Sequence, residues 1–301
     1  MSTRIAFLKG HGTENDFVIV PDPENAIDLP PAAVAALCDR RAGIGGDGLL
    51  HVVRSAAHPE AREMAAEAEW FMDYRNADGS VAEMCGNGVR VFARYLQRGG
   101  KVTEGDLAIA TRAGVKTVHI AKAGSASGPD SAAGGDITVG MGKALLPEGE
   151  VTVVVGERAR PARHVNMGNP HAVTFVDDLA DAGTLYTAPS FSPASAYPDG
   201  VNVEFVVDRG PGHVAMRVHE RGSGETRSCG TGACAVAVAA ARRDGADPAL
   251  TGAPATYRVD LPGGTLVITE RPDGEIEMTG PAVIVAEGET DAHWWATAAA
   301  R

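Results

Sequence analysis

The sequence predicts an α+β fold in two similar halves, each a curved sheet of short strands held around one buried helix. Three features predict it. Most apolar runs are short, rich in β-branched residues and partly alternating, as strands are. Few runs read as helices. One unusual unit, Cys-Gly-x-Gly leading into an apolar-rich run, occurs twice: "CGNGVRVFARYL" from Cys85 and "CGTGACAVAVAAARR" from Cys229, 144 residues apart.

Taken along the chain, strands are expected at residues 5–8, 17–20, 70–74, 107–111, 151–155, 201–207, 214–219, 257–261 and 265–269. A helix is expected at 31–40, where prolines open a run of Ala, Val and Leu, and a second at 88–97, closed by Gly99 and Gly100. The third, 232–243, ends in two arginines that suit a helix C-terminus. Residues 121–136, "AKAGSASGPDSAAGGD", are small and aperiodic and mark the expected boundary between halves. Residues 54–69 read as an inserted amphipathic or loop segment.

The flanks of the two cysteines align without a gap, "NADGSVAEMCGNG" from Asn76 on "ERGSGETRSCGTG" from Glu220. Two similar domains facing a common cleft are the expectation. The Ala/Val helix is apolar all round, so it must be enclosed on all sides, and its small side chains let strands approach closely.

Composition narrows the functional classes. The chain has 301 residues, 44% hydrophobic and 5% aromatic, with a formal net charge of −12. An acidic chain without a basic run offers no footprint for nucleic acid, and no apolar segment is long enough to span a membrane. The N-terminal residues lack the apolar core and cleavage site of a secretion signal, so a cytoplasmic protein is expected. Four cysteines make no disulfide framework here, and none has C-x2-C spacing, so no metal is expected. Cys38 and Cys234, with apolar helical neighbours, read as small hydrophobes.

Cys85 and Cys229 are different. A helix N-terminus carries unpaired N–H groups and partial positive charge, which favour a thiolate and bind a carboxylate. Glycines let a ligand reach that backbone. Two such thiols on opposite sides of one carbon suit proton transfer at the α-carbon of an amino acid, with the helix amides stabilising the carboxylate as charge develops. A reversible disulfide between them is the competing reading.

At these residues the sequence resembles the diaminopimelate epimerase family, which interconverts LL- and meso-diaminopimelate without a cofactor in lysine and peptidoglycan precursor synthesis. The resemblance runs through "KGHGTENDFVIV", "RRAGIGGDGLL", "DYRNADGSVAEMCGNGVRVFARYL", "NMGNPHAV", "PDGVNVEF" and "RVHERGSGETRSCGTGACA", in the family's order. It implies two pseudo-symmetric domains, each a curved, mostly antiparallel sheet around a central helix. Residues 1–134 would carry Cys85 and 135–281 Cys229, with 282–301 returning to the first. Cys85 and Cys229 are implied as the acid/base thiols, with His171 and Glu220 as the residues that tune or deprotonate them. Gly86, Asn87, Gly230 and Thr231 match the helix-mouth groups that hold the reacting carboxylate. Asn15, Asn76, Asn169, Asn202, Glu220 and Arg221 match groups at the substrate's other polar atoms. A homodimer is implied, and no cofactor.

The chain departs from many members at Gly48, where they carry a substrate-contacting Gln, and at Glu14, expected to face solvent. Proline-type racemases carry His at the position of Asn87, which argues against a proline substrate; histidine and diaminobutyrate remain alternatives. A pyridoxal enzyme would need a placed lysine, and all five lysines fall in the first half of the chain, away from the two cysteine motifs.

Overall fold

A computed structural model describes residues 4–124, 134–155 and 158–300. The expected inter-domain stretch falls partly on residues 125–133, outside the described residues. The chain forms two compact units, residues 1–139 with 281–301, and residues 140–280. The crossings lie inside a strand and just after another, against 134/135 and 281/282 read from the sequence.

In chain order the first unit contains β1 (Ala6–Gly12), β2 (Asn15–Pro21), α1 (Pro31–Cys38), β3 (Gly48–Arg54), β4 (Trp70–Asn76), α2 (Gly86–Arg98), β5 (Gly105–Thr111), β6 (Gly114–Ile120) and the start of β7 (Ile137–Lys143). The second holds β8 (Val151–Val155), β9 (Arg158–Asn166), β10 (Pro170–Phe175), β11 (Phe191–Ser192), β12 (Asn202–Gly210), β13 (His213–Glu220), β14 (Gly224–Thr226), α3 (Gly230–Arg243), α4 (Pro248–Thr251), β15 (Ala255–Leu261), β16 (Gly264–Glu270) and β17 (Glu275–Gly280). The chain then returns to the first unit as β18 (Val283–Glu289) and α5 (Ala292–Ala299).

Both units follow one pairing plan. β1 and β2 are antiparallel, β2 and β3 parallel, β3 and β4 antiparallel, β4 and β5 parallel, β5 and β6 antiparallel, with β18 antiparallel on the outer side of β1. The second unit repeats this with β9, β10, β12, β13, β15 and β16, and with β8 outside β9. The internal repetition seen around the cysteines therefore extends to whole sheets.

Each sheet encloses its helix. α2 packs against β1, β2, β3, β4, β6 and β18, and α3 against β9, β10, β12, β13, β15, β16 and β17. In α3 the run Ala233–Ala241 is buried throughout, as an all-round apolar helix requires. Enclosing Val236 and Val238 contributes about 1.5–3 kcal/mol each. α2 reaches burial differently, because its sequence includes Arg90 and Arg94, both buried. Arg90 Nε donates to the Pro281 carbonyl at 3.2 Å, and Arg94 Nε to that of Ala282 at 3.1 Å. These two arginines tie the returning segment to the central helix of the first unit, and carbonyl partners make their burial tolerable.

Several expectations need correction. The first helix ends at Cys38 rather than residue 40, because Asp39 turns its carboxylate to the N–H groups of Arg41 and Ala42, at 2.8 and 2.7 Å. Residues 54–69 complete β3 and then form two short 3-10 turns, Ser55–Ala57 and Arg62–Met64, pinned by Ala61 and Ala68 against Phe71 and Ala110. Strands β3, β6, β7, β9, β10, β11, β14, β17 and β18, and helices α4 and α5, had no expected counterpart.

Candidate active site

In the first unit Cys85 is the N-cap of α2, in extended backbone geometry, and its sulfur accepts from Gly88 N–H at 3.4 Å. The Cys85 thiol points at Asn15 Oδ1, 3.6 Å away, and the Asn87 side-chain amide donates to the same oxygen at 3.2 Å. Asn15 is held in this pose from behind, since its Nδ2 donates to Asp47 Oδ2 at 2.8 Å. Asp47 also receives Arg40 at 2.7 Å.

Asp16 anchors that array. Arg40 donates to both its oxygens, at 2.6 and 3.0 Å, and Lys9 approaches to 2.5 Å. Burial alone would push this carboxyl up, but the hydrogen bonds and charges of Arg40 and Lys9 outweigh it and hold Asp16 at about 2. Asp16, Asp47 and Arg40 thus form a fixed frame behind Asn15 and Cys85.

Asn76 ends β4 opposite Gly48, and its side-chain amide donates to Ser80 Oγ at 2.9 Å within the turn after the strand. Gly48 has a steric reason. A Cβ there would lie 2.6 Å from the Arg75 carbonyl and 2.7 Å from Tyr74 Cε2, so the Tyr74 ring occupies the space where a longer side chain would begin. Glu14 is exposed, in the left-handed turn between β1 and β2.

In the second unit Cys229 caps α3, is 5% exposed, and lies 3.6 Å from Thr231 Oγ1. Burial pushes its thiol well above the usual cysteine value, and the nearby carboxyls of Glu220 and Glu204 add to the rise. Glu220 accepts a hydrogen bond from this thiol and another from Thr226 Oγ1. Its own carboxyl is raised, first by burial. A carboxyl whose acidity is weakened by burial, beside a capping thiol, is a better proton acceptor than an exposed carboxylate.

His171 is wholly buried at the start of β10. Its Nδ1 lies 2.6 Å from Glu204 Oε1 and its Nε2 3.1 Å from Asn169 Oδ1, while Asn169 Nδ2 reaches Thr231 Oγ1 at 3.4 Å. Asn202 Nδ2 donates to the Pro170 carbonyl at 3.1 Å and its Oδ1 accepts Arg221 N–H at 2.9 Å. The Arg221 side chain is exposed and donates to the Asp199 carbonyl at 3.2 Å.

The residues singled out from the sequence therefore form one cluster in each unit. Asn15, Gly86 and Asn87 gather at Cys85; Asn169, His171, Glu220, Gly230 and Thr231 gather at Cys229, with Asn202 and Arg221 joined to each other at its edge. Asn76 bonds instead to its own turn. Sequence reasoning missed Asp16, Asp47 and Glu204. A signal for Glu204 was present, a lone carboxylate inside the run "VNVEFVV". Cys38 and Cys234 are both buried, at 4% and 0% exposure, and burial pushes the Cys38 thiol up to about 12. Among the described residues no group of three or more His, Cys, Asp or Glu is placed to hold a metal, and no helix is long and apolar enough to cross a membrane.

Two units, each a sheet wrapped around a helix, define a class of α+β fold also seen in solved structures. The PhzF-family phenazine biosynthesis protein of Bacillus anthracis matches with a TM-score of 0.69 at 16% identity, covering 96% of this chain and 99% of that one. Sequence narrows the class: the chain belongs to the diaminopimelate epimerase family, whose model matches residues 7–146 and 163–285. It is 83% identical over 294 residues to the diaminopimelate epimerase of Streptomyces coelicolor, covering 98% of each chain. The diaminopimelate epimerase of Mycolicibacterium smegmatis is 47% identical, over 96% of this chain and 98% of that protein.

Proposed function

We propose that this chain epimerises LL-2,6-diaminopimelate to meso-diaminopimelate, in lysine and peptidoglycan precursor biosynthesis, by moving a proton between two thiols and the substrate α-carbon. The 83% identity over nearly the full length of a diaminopimelate epimerase carries this reading. The two N-cap cysteines supply its chemistry.

One sulfur, as thiolate, takes the α-proton from one face, and the other, as thiol, delivers a proton to the opposite face. Configuration inverts and the two sulfurs exchange roles. Cys229 rests as the thiol, because burial and the adjacent carboxyls disfavour its ionisation. Glu220, already hydrogen-bonded to it, takes its proton when turnover runs in the other direction. His171 is the second base. The electrons released from the α-carbon spread onto the substrate carboxylate. The first-turn N–H groups of α2 and α3, at Gly86 and Asn87 and at Gly230 and Thr231, are suited to receive that charge.

Asn15, Asn76, Asn169, Asn202 and Arg221 then read the amino groups and the distal carboxylate. Asn15 is already locked by Asp47, so less ordering remains to be done on binding. The family resemblance further supports a cytoplasmic homodimer. Replacing either thiol tests the mechanism: Cys85→Ser and Cys229→Ser should each lower epimerisation by about 10²–10⁴-fold with the fold intact. Wild-type turnover in either variant contradicts it.

A further inference from the structure

The two units place different chemistry at matched positions of one strand plan. Phe17 lies opposite Gly48 in the parallel pair β2–β3, as His171 lies opposite Asn202 in β10–β12. Two residues further along β3 and β12 come Leu50 and Glu204. Both stand beneath the glycine three residues after the capping cysteine. A Cβ on Gly88 would meet Leu50 Cδ2 at 3.2 Å, and a Cβ on Gly232 would meet Glu204 Oε1 at 2.9 Å. So one pair of positions holds Phe17 and Leu50 in the first unit and His171 and Glu204 in the second, and all four are 0% exposed.

The strand plan does not need charge there, because hydrocarbon fills the same register in the first unit. Burying an imidazole with a carboxylate costs desolvation that a hydrocarbon pair avoids. The pair also constrains its neighbour, since the Glu204 oxygen leaves no room for a side chain at position 232. A charged pair that the strand plan does not require, joined to the Cys229 cluster, calls for a role in the chemistry.

The geometry points to Glu204 as the positioning residue of His171: its carboxylate accepts from Nδ1–H at 2.6 Å and fixes the ring so that Nε2 is the nitrogen that gains and loses the proton. This rests on the reading that His171 exchanges protons during epimerisation. Nε2 faces the Asn169 amide at 3.1 Å, and that amide reaches Thr231, which lies 3.6 Å from Cys229 Sγ. When Nε2 carries its proton it donates to the amide oxygen; when it has given the proton up, the amide turned over donates its N–H to the bare nitrogen. Glu204 orients the ring without itself carrying the transferred proton, as does a carboxylate that positions a catalytic imidazole. The other titratable groups whose charges interact with His171 are Glu220 on β13 and His164 on β9.

Nitrogen-15 NMR of the histidine-labelled wild-type protein near neutral pH tests this directly. The expected spectrum shows His171 Nδ1 protonated; a His171 with bare Nδ1 overturns the proposal, with no variant required. For a kinetic reading, Glu204→Gln keeps the shape and removes the charge. It should lower kcat by about 10–100-fold with KM within about threefold, and Glu204→Asp should recover part of the loss. A folded Glu204→Gln protein with wild-type kcat also overturns it. Should the wild type fail to exchange the α-proton of diaminopimelate, the functional reading falls, while the ring-nitrogen spectrum still decides where Glu204 holds the His171 proton.

Discussion

Asp16→Asn isolates the frame behind Asn15, because asparagine has the shape of the protonated acid and lacks only the charge. In the folded protein Asp16 is held at about 2, against 3.8 for an unperturbed carboxyl. That gap corresponds to about 2 kcal/mol of folding free energy, supplied by Arg40 and Lys9. The folded value is the lower one, so the stabilisation is complete above the unfolded value and is lost as pH falls through the folded value. Urea unfolding followed by circular dichroism should therefore find the variant less stable by about 2 kcal/mol at pH 6–7 and within about half a kcal/mol of wild type at pH 2. Asn15 should also lose part of its fixed pose, so KM should rise. A difference below about 0.5 kcal/mol at neutral pH, or one that does not change with pH, would refute the reasoning.

Three other perturbations probe the second unit and the register of the first. Gly232→Ala places a Cβ 2.9 Å from Glu204 Oε1 and 3.2 Å from Cys229 Sγ, so the carboxylate that positions His171 must shift; kcat/KM should fall at least about tenfold, and unchanged kinetics would mean the site is looser than described. Because burial raises the Glu220 carboxyl, it gives up its proton at a higher pH than a surface carboxyl. The acid limb of kcat/KM should accordingly lie above the ordinary carboxylate value, and Glu220→Gln should abolish that limb together with most of the activity. Gly48→Gln should destabilise the protein by about 1–3 kcal/mol, read as a lowered Tm, because its Cβ meets the Arg75 carbonyl and the Tyr74 ring; an unchanged Tm would show that β3 can yield there.

The cysteine-capped helices were legible because thiol, glycine spacing and an apolar run all lie within one local stretch. The enclosure of α3 followed from the same stretch, since a helix without a polar face has only one environment open to it. The burial of α2 was not legible. Its arginines are satisfied by carbonyls of residues 281 and 282, far along the chain, and nothing near residue 90 announces them. Strand β3, "GLLHVVR", is nearly continuously buried and shows no alternation, so a period-two search passes over it. Helix α5 did carry a local signal: Asp291 accepts from the N–H groups of His293 and Trp294, both at 2.9 Å, as an N-cap residue does. The roles of Asp16, Asp47 and Glu204 depend on partners brought together by strand pairing. From sequence alone Asp16 and Asp47 were two more carboxylates in an acidic chain, and only Glu204, lone within an apolar run, stood out.

The most direct test of two-thiol epimerisation is proton NMR of the reduced protein, freed of metal and pyridoxal phosphate, with LL-diaminopimelate in deuterated water. Loss of the α-hydrogen signal together with growth of the meso isomer is the predicted result. A persistent α-hydrogen signal with folded, reduced protein would contradict the account.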